Sequence, residues 1–458
     1  MHSIFRQYDI RGIAGTELTD ELAGDIARAF AAYARRKGQH KLLLAHDNRH
    51  SSPRLHAVMA EALLSSGADV FDLGETITPI FYFAARQMNI PGGIMITASH
   101  NGPEYNGCKL LLGESTIYGE DIQEIARMVQ AREFITLRRG KRYPAPMSEA
   151  YLRWIASHIE MGPRRLKVVV DCGNGTASPF APDLLQRLGC EVIPLYCDSD
   201  PDFPHHQPDP VDPANLRDLS AVVQAVNADL GIGFDGDGDR LGVVDARGNF
   251  LWGDMLMILF WREILPRYPG CDCIVEVKCS LALVEEILRL GGRPFFYKTG
   301  HSLIKAKMRE LNTVFTGEMS GHMFFADEYY GYDDALYAAA RLLRIMSHTE
   351  LALDELLCDI PEYYASPEIR LPVGEVEKFT LVNEMKAELK QDHPCLDIDG
   401  VRATFDDGWA LLRASNTGPE IIFRCEGISP ASLERIMGYM TERMAAVEPS
   451  LAAKVPSI

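Results

Sequence analysis

The sequence has no long hydrophobic run and few basic residues. Its longest unbroken apolar stretch, residues 255–261, is too short to cross a bilayer, and Met1–Arg6 lacks the apolar core of a signal peptide. Lys and Arg number 46 against 64 Asp and Glu, which gives a formal net charge of −18. Such an acidic balance disfavours nucleic acid or an anionic membrane as the main partner. We therefore predict a cytoplasmic protein that binds neither.

Metal-binding cysteine spacings and nucleotide-binding loops are also missing. The 10 cysteines include no CxxC pair, and Cys271 and Cys273 are too close within one strand to form a disulfide. These features predict buried free thiols in a reducing compartment. The sequence contains no Walker loop, dinucleotide fingerprint or zinc spacing, which weakens interpretations as a kinase or a dehydrogenase.

A structural unit recurs three times along the 458 residues. Each copy has a buried strand, a helix that ends in glycine, a second strand and, further on, a strand that ends in a polar loop. The first strands are predicted at 41–47, 167–171 and 273–278. Their continuous Val, Ile and Leu residues favour parallel sheets covered on both faces. Because such sheets bind ligands beyond the carboxyl ends of their strands, we expect the three polar loops to converge on one site.

The repeat predicts an α/β protein with three similar domains, each with a mixed, mainly parallel sheet. The pattern breaks between Pro361 and Pro367 and is followed by a smaller α+β domain. We place the four domains at 1–146, 147–249, 250–362 and 367–458.

An apolar run leads to Ser99 in a polar turn. A hydrolase nucleophile elbow requires Gly-x-Ser-x-Gly, which residues 97–101 do not supply. His100 is the next residue, so we expect it to be poorly placed as the base of Ser99. On its own, this motif favours a serine that caps a turn.

A second apolar run ends in the loop Asp235-Gly-Asp237-Gly-Asp239-Arg240. Three carboxylates at alternate positions repel one another unless a hard cation lies between them. An EF-hand would need glycine where Arg240 stands, and a haloacid-dehalogenase phosphatase would need Thr or Val where Asp239 stands. A solvated acidic turn stays an alternative. A strand-end serine and a strand-end cation site together indicate phosphoryl chemistry.

Two later loops carry groups suited to a sugar phosphate. Glu318, Ser320 and His322 offer an acceptor, a hydroxyl and an imidazole on one loop, a combination suited to vicinal sugar hydroxyls. The loop 413–417 has a guanidinium, two hydroxyls and an amide, which suit a phosphate dianion. Each loop alone is also compatible with an ordinary polar turn, and residues 298–302 with a helix start.

Five motifs, taken in order, resemble those of the α-D-phosphohexomutases. They are Tyr8-Asp-Ile-Arg-Gly12, Thr97-Ala-Ser-His-Asn101, Asp235-Gly-Asp-Gly-Asp-Arg240, Gly317-Glu-Met-Ser-Gly-His322 and Arg413-x-Ser-Asn-Thr417. The resemblance covers essentially the whole chain. Within the family the fourth motif looks most like the bacterial phosphomannomutase/phosphoglucomutase group, because phosphoglucosamine mutases usually carry Gln where Met319 stands. Gly102, Cys108 and Gly418 depart from the family pattern without removing a reacting group.

The resemblance implies a role for each motif. It implies four domains around a central cleft, Ser99 as a phosphoserine, and Mg²⁺ bound by Asp235, Asp237 and Asp239 together with the phosphate on Ser99. The substrate-binding residues that it implies are Tyr8, Lys278, Gly300, Glu318, Ser320, Arg413, Ser415, Asn416 and Thr417. Further catalytic candidates, with no acid or base assigned among them, are Arg11, Lys109, Arg240, His301 and His322.

The resemblance also implies an activity: interconversion of hexose 1-phosphate and hexose 6-phosphate, for mannose and glucose, through a 1,6-bisphosphate intermediate and activator. Phosphoglucosamine mutase is the alternative within the family. A catalytically inactive sugar-phosphate-binding protein, a phosphatase and a kinase are alternatives of other classes. Ser99 and the three aspartates argue against the inactive protein, because binding alone needs neither. We predict a small-molecule sugar phosphate as the partner and a monomer or weak dimer.

Overall fold

The computed structural model describes residues 4–374, 376–415 and 418–456. These residues form two compact units. The first contains the described residues up to Glu263 together with Ser320–Cys358, and the second contains Ile264–Met319 and the described residues from Asp359 onward. Across these three described ranges, no helix is long and apolar enough to cross a membrane.

The first unit begins with a seven-stranded mixed sheet. Its elements are β1 (Ile10–Ile13), α1 (Asp20–Arg36), β2 (Lys41–His46), α2 (Ser52–Ser65), β3 (Asp69–Glu75), α3 (Thr78–Gln87), β4 (Gly92–Ile96), β5 (Tyr105–Leu112), β6 (Ser115–Thr116), α4 (Glu120–Ala131) and β7 (Arg142–Pro144). The strand order is β1-β5-β4-β2-β3-β7, with β6 beside β5. Residues 42–45 of β2 are fully buried, which explains why this strand lacks polar alternation.

A five-stranded sheet follows in the same unit. Its elements are α5 (Ser148–His158), β8 (Lys167–Asp171), α6 (Ala181–Arg187), β9 (Glu191–Leu195), α7 (Arg217–Val226), β10 (Leu230–Phe234), β11 (Leu241–Asp245), β12 (Phe250–Leu251) and α8 (Gly253–Ile264). Strand β8 is parallel to β9 and β10, and β11 is antiparallel to β10. Strands β2, β3, β4 and β5 pair in the same way, which confirms the predicted repeat.

The third copy of the repeat begins in the second unit. Its elements are β13 (Asp272–Glu276), α9 (Leu281–Arg289), β14 (Arg293–Tyr297), α10 (His301–Leu311), β15 (Phe315–Gly317), β16 (Met323–Phe325) and α11 (Ala335–Ser347). Strands β13 and β14 are parallel, as in the other copies. Strand β16 and helix α11 belong to the first unit, so residues 250–362 are divided between the two units. The four domain boundaries stay predictions.

The second unit ends in an antiparallel sheet with helices. Its elements are β17 (Tyr364–Ala365), β18 (Ile369–Pro372), α12 (Glu377–Asp392), β19 (Cys395–Leu396), β20 (Val401–Phe405), β21 (Gly408–Ala414), β22 (Glu420–Gly427), α13 (Pro430–Val447) and α14 (Pro449–Ala452). The order β17-β22-β21-β20-β19, with β18 beside β22, has only antiparallel neighbours. Leu412, Phe423 and Met440 belong to its buried core. The predicted α+β domain is confirmed.

Glycine ends the first helix of each repeat, as the sequence predicts. Gly67, Gly189 and Gly291 follow α2, α6 and α9 with φ values of 80°, 87° and 80°. A side chain with a Cβ rarely adopts this left-handed conformation, so glycine lets the chain turn back toward the next strand. Short 3₁₀ helices cover Pro213–Leu216, Leu265–Arg267 and Glu355–Leu357.

The ten cysteines are all free thiols, and six of them are buried. The Cys271 and Cys273 sulfurs lie 3.8 Å apart.

Candidate active site

Ser99 lies in the loop that follows β4. Its φ is +51°, a left-handed value that is uncommon for a residue with a side chain. The side chain is buried, and its Oγ donates to Asp235 Oδ2 at 2.8 Å. The backbone N–H donates to Thr97 Oγ1 at 2.9 Å. The sequence motifs of the serine and of the acidic loop therefore meet through a direct hydrogen bond.

His100 is closer to Ser99 than the sequence argument expects. Its Nδ1 lies 3.1 Å from Ser99 Oγ, so the prediction that this histidine is poorly placed is wrong. The left-handed backbone at Ser99 turns the chain so that two consecutive side chains face each other. Loss of water around the ring, with the positive charges of Arg240 and Arg11, lowers the pKa of His100 well below its ordinary value. Positive charge therefore acts on the His100 side of Ser99, while the carboxylate of Asp235 bonds to its hydroxyl.

The three aspartates of the acidic loop are completely buried. Asp235, Asp237 and Asp239 are each 0% exposed, which excludes the solvated acidic turn. Each offers one carboxylate oxygen within 4.8 Å of the others. Burial and the charges of its two neighbours raise the pKa of Asp235 well above its usual range.

Lys109, from β5, lies against two of these carboxylates. Its Nζ donates to Asp237 Oδ2 at 2.8 Å and also to Asp239 Oδ2. Burial acts to lower the pKa of Lys109, but Asp237 and Asp239 together raise it well above the ordinary value. Burial acts to raise the pKa of Asp237, and Lys109 outweighs it and lowers that pKa. Thr78 and Thr97 also donate to Asp237, at 2.6 and 3.2 Å.

The donor set fits a hard divalent cation. Asp237 Oδ1 and Asp239 Oδ1 are buried and accept no hydrogen bond from any described residue. His322 Nδ1 lies 3.7 Å from Asp239 Oδ1, too far for a hydrogen bond. A buried anionic oxygen that accepts no hydrogen bond is costly, and hard cations such as Mg²⁺ prefer carboxylate oxygen ligands. The cluster carries three carboxylates against the single ammonium of Lys109, so one further cation would improve its charge balance.

Two further predicted residues, Arg11 and Arg240, make side-chain hydrogen bonds within the first unit. Arg240 Nε lies 3.1 Å from His322 Nε2, and His322 Nδ1 lies 3.4 Å from Asp333 Oδ2. Arg11 donates to Asp9 and to Asn101 of the serine loop. Its buried Nε has no hydrogen-bond partner among the described residues.

Among the remaining predicted residues of this unit, Tyr8 is buried and Ser320 is half-buried.

The second unit gathers another group of predicted residues. The buried Glu318 follows β15, and its Oε1 accepts the backbone N–H of Gly300 at 2.6 Å. His301, the next residue after Gly300, is buried at the first position of α10, as the helix-start interpretation predicts. Lys278 Nζ lies 3.1 Å from Glu368 Oε2 and 3.8 Å from a carboxylate oxygen of the fully buried Glu276.

The Arg413 loop lies at the end of β21 in the second unit. Arg413 is 4% exposed, and its Nε donates to Asp399 Oδ2 at 2.9 Å. Ser415 is buried, and its carbonyl oxygen accepts from Lys378 Nζ at 2.8 Å. Lys378 donates again to the Gly418 carbonyl at 2.9 Å, so one ammonium joins both sides of the loop. The predicted residues Asn416 and Thr417 lie outside the described part of the chain.

Sequence reasoning missed several residues that hold the predicted ones in place. The most important are Asp47, Arg49, Thr78, Glu276 and Asp399. Two of them carry a signal that was available in the sequence. Asp47 follows β2 and Glu276 ends β13, so both occupy the carboxyl end of the first strand of a repeat. A search for acidic residues at equivalent strand ends would have found them.

Comparison with known proteins assigns the fold. Four phosphoglucomutase/phosphomannomutase domain families match the chain in order: alpha/beta/alpha domain I at residues 2–136, domain II at 149–248, domain III at 252–364 and the C-terminal domain at 368–443. A solved phosphoglucomutase/phosphomannomutase family protein from Burkholderia thailandensis is 40% identical, with a TM-score of 0.93 and 98% of each chain covered.

Curated relatives give the same result. The phosphomannomutase/phosphoglucomutase of Pseudomonas putida is 41% identical over 450 residues, covering 98% of this chain and 97% of the relative. The phosphoglucomutase of Neisseria meningitidis is 41% identical over 437 residues, covering 94% of this chain and 95% of the relative. Together with the four domain matches, these similarities show that the chain belongs to the phosphoglucomutase/phosphomannomutase family of α-D-phosphohexomutases.

Proposed function

We propose that the chain is a phosphomannomutase/phosphoglucomutase that interconverts hexose 1-phosphates and hexose 6-phosphates. One observation carries this proposal: Ser99 Oγ donates a hydrogen bond at 2.8 Å to a buried cluster of three carboxylates. A serine that merely ends a turn needs no such cluster. Family membership and the names of the relatives support the same activity.

In this proposal Ser99 carries a phosphoryl group in the active enzyme. The hydroxyl of the bound hexose phosphate attacks phosphorus and the bond from phosphorus to Ser99 Oγ breaks. The proton that the sugar hydroxyl loses is replaced by one taken up at Oγ, so a 1,6-bisphosphate and a free Ser99 hydroxyl form. The bisphosphate turns end for end and returns its other phosphoryl group to Ser99. Arg11 donates to Asn101 of the serine loop, and the charges of Arg240 and Arg11 both act on His100. In this proposal these charges favour the dianion on Ser99 and the charge of the transferring group.

The same proposal assigns a Mg²⁺ site to Asp235, Asp237 and Asp239, with the phosphate on Ser99 as a further ligand. When bound, Mg²⁺ supplies positive charge that stabilises the transferring phosphoryl group. Lys109 holds Asp237 and Asp239 in place from β5.

We further propose that Glu318 binds two adjacent sugar hydroxyls that glucose and mannose share. Losing a charged hydrogen-bond acceptor costs about 1.5–3 kcal/mol, so Glu318→Ala should lower kcat/KM by about one to two orders of magnitude for both sugars. The measurement is kcat/KM with glucose 1-phosphate and mannose 1-phosphate.

Glu286→Ala is the matched control, because Glu286 is also a buried glutamate of the second unit but pairs with Arg289 on α9. It should leave kcat/KM close to wild type. A Glu318→Ala defect confined to one sugar would contradict the assignment, because it would mean that this loop reads the hydroxyl at C2.

The Arg413 loop is proposed as the clamp for the phosphate that does not react. It offers a guanidinium and hydroxyls, which suit a dianion that is bound and not transferred. Arg413→Ala should raise KM about 10- to 100-fold for every substrate, because a charged hydrogen bond is lost. Phosphorylation of Ser99 by glucose 1,6-bisphosphate in excess should persist. Steady-state kinetics and intact mass check both expectations.

Arg435→Ala is the control for this variant. Arg435 belongs to the same unit but pairs with Asp407 at the surface, so its loss should leave KM unchanged. An Arg413→Ala enzyme with the wild-type KM would contradict the clamp.

Assays of the wild-type protein with glucose 1-phosphate, mannose 1-phosphate and glucosamine 1-phosphate in parallel test the proposed function. Comparable turnover of the glucose and mannose esters is expected. A clear preference for the glucosamine ester would favour phosphoglucosamine mutase, and binding without turnover would favour the inactive sugar-phosphate-binding protein.

A further inference from the structure

One buried guanidinium makes several hydrogen bonds to the loop that carries Ser99. Arg49 is 1% exposed and follows β2. Its Nη2 donates to the carbonyl oxygens of Ser99 and Asn101 at 2.6 and 2.7 Å, and its Nη1 donates to those of Gly102 and Tyr105 at 2.5 and 3.2 Å. Three carbonyl groups of the Ser99 loop and that of Tyr105, the first residue of β5, therefore converge on one side chain.

The remaining donor fixes the guanidinium itself. Arg49 Nε donates to Asp47 Oδ2 at 3.0 Å, and the ring of Phe203 lies against the guanidinium with its centroid 5.3 Å from Cζ. A guanidinium has five N–H donors in a fixed plane, and here all five have an acceptor. The ammonium of a lysine has only three donors and cannot make all five of these hydrogen bonds. The geometry therefore requires arginine and would not be preserved by lysine.

These contacts bear directly on the reactive hydroxyl. The Ser99 carbonyl oxygen is held by Arg49 while the Ser99 backbone has its left-handed φ of +51°. That conformation is disfavoured for serine and persists only where surrounding contacts enforce it. If the loop relaxed, Oγ would move away from Asp235 and the carboxylate cluster.

We propose that Arg49 is a positioning residue for phosphoryl transfer: it holds the Ser99 loop in the strained conformation that aims Oγ at the acidic cluster. This inference rests on the proposed phosphoserine function. A displacement of about 1 Å at a reacting group can cost roughly 10²-fold in rate, so loss of the five-bond arrangement should slow the chemical step. Substrate affinity should change little, because the phosphate clamp and the hydroxyl-binding residues are assigned to other side chains.

The test is single-turnover transfer of ³²P from labelled Ser99 to glucose 6-phosphate, followed by rapid quenching. Arg49→Lys should lower the transfer rate constant roughly 10²-fold, while the dissociation constant for glucose 6-phosphate stays near the wild-type value. Asp47→Asn places an amide against Arg49 Nε and should also lower the transfer rate constant, by a smaller factor. If Arg49→Lys does not fold, the rate constant of Asp47→Asn tests the inference alone.

Arg341→Lys is the matched control. Arg341 is equally buried in the first unit, but it pairs with Glu263 and Asp327. Among the described residues, it makes no hydrogen bond to the Ser99 loop. It should lower the melting temperature without slowing transfer.

Transfer at the wild-type rate in both Arg49→Lys and Asp47→Asn would overturn the inference while leaving the proposed function intact. An equal loss in Arg341→Lys, or a loss confined to substrate binding, would also overturn it. Failure of the wild-type phosphoenzyme to transfer label would overturn the proposed function and this inference with it.

Discussion

Ser99→Ala is expected to lower kcat by about four to six orders of magnitude, the scale seen when a catalytic nucleophile is removed. The alanine cannot carry the phosphoryl group, and it also lacks the hydroxyl that donates to Asp235. Steady-state kinetics with glucose 1-phosphate measures the loss. Intact mass should find part of the wild-type protein heavier by one phosphoryl group and none of the variant.

Ser157→Ala provides the control for this experiment. Ser157 lies on α5, where its hydroxyl bonds to the nearby Trp154 and His158 of the same helix. Its replacement should preserve both turnover and the phosphorylated species. Wild-type turnover in Ser99→Ala, or a phosphoryl group that persists on it, would contradict the phosphoserine mechanism.

Lys109→Met is expected to destabilise the protein strongly when divalent ions are absent. Removing one partner of a buried ion pair leaves an uncompensated charge and costs about 3–5 kcal/mol. Here it leaves Asp237 and Asp239 buried without their ammonium. A bound Mg²⁺ would replace the missing positive charge and stabilise the folded state by linkage. Thermal unfolding in EDTA and in excess Mg²⁺ measures both effects.

In EDTA, the melting temperature of Lys109→Met should lie far below that of the wild type. Mg²⁺ should raise the melting temperature more for Lys109→Met than for the wild type. Lys167→Met is the control, because Lys167 Nζ bonds to the Val226 carbonyl outside the acidic cluster. It should show the wild-type response to Mg²⁺. An unchanged melting temperature of Lys109→Met in EDTA would contradict the stabilising ion pair, and the absence of a response to Mg²⁺ would contradict the assignment of a cation to the three aspartates.

Much of the fold could be predicted because its signals are local. Continuous Val and Leu in β2 and β8, helices that end at Gly67 and Gly189, and the polar loops after β4 and β10 all lie within short segments. Parallel pairing then places the Ser99 loop and the Asp235 loop at the carboxyl ends of equivalent strands. The direct bond between Ser99 and Asp235 follows the expectation that these loops converge.

The details of the site could not be predicted because they depend on distant backbone groups. Arg49 binds carbonyl oxygens some fifty residues later in the chain. Because every residue has a backbone carbonyl group, the sequence does not show which of them accept from a side chain. The close approach of His100 to Ser99 depends on a left-handed backbone at a residue that is not glycine. Lys109 reaches the aspartates because β5 runs antiparallel to β4, which the strand pattern alone does not specify.

The most direct test of the central claim follows the phosphoryl group itself. The wild-type protein is labelled at Ser99 with ³²P, freed of excess label and mixed with glucose 6-phosphate for a single turnover. The account predicts that label leaves Ser99 and appears first in glucose 1,6-bisphosphate and then, once the other phosphoryl group has returned to Ser99, in glucose 1-phosphate. Label that stays on the protein, or that appears only as inorganic phosphate, would contradict it.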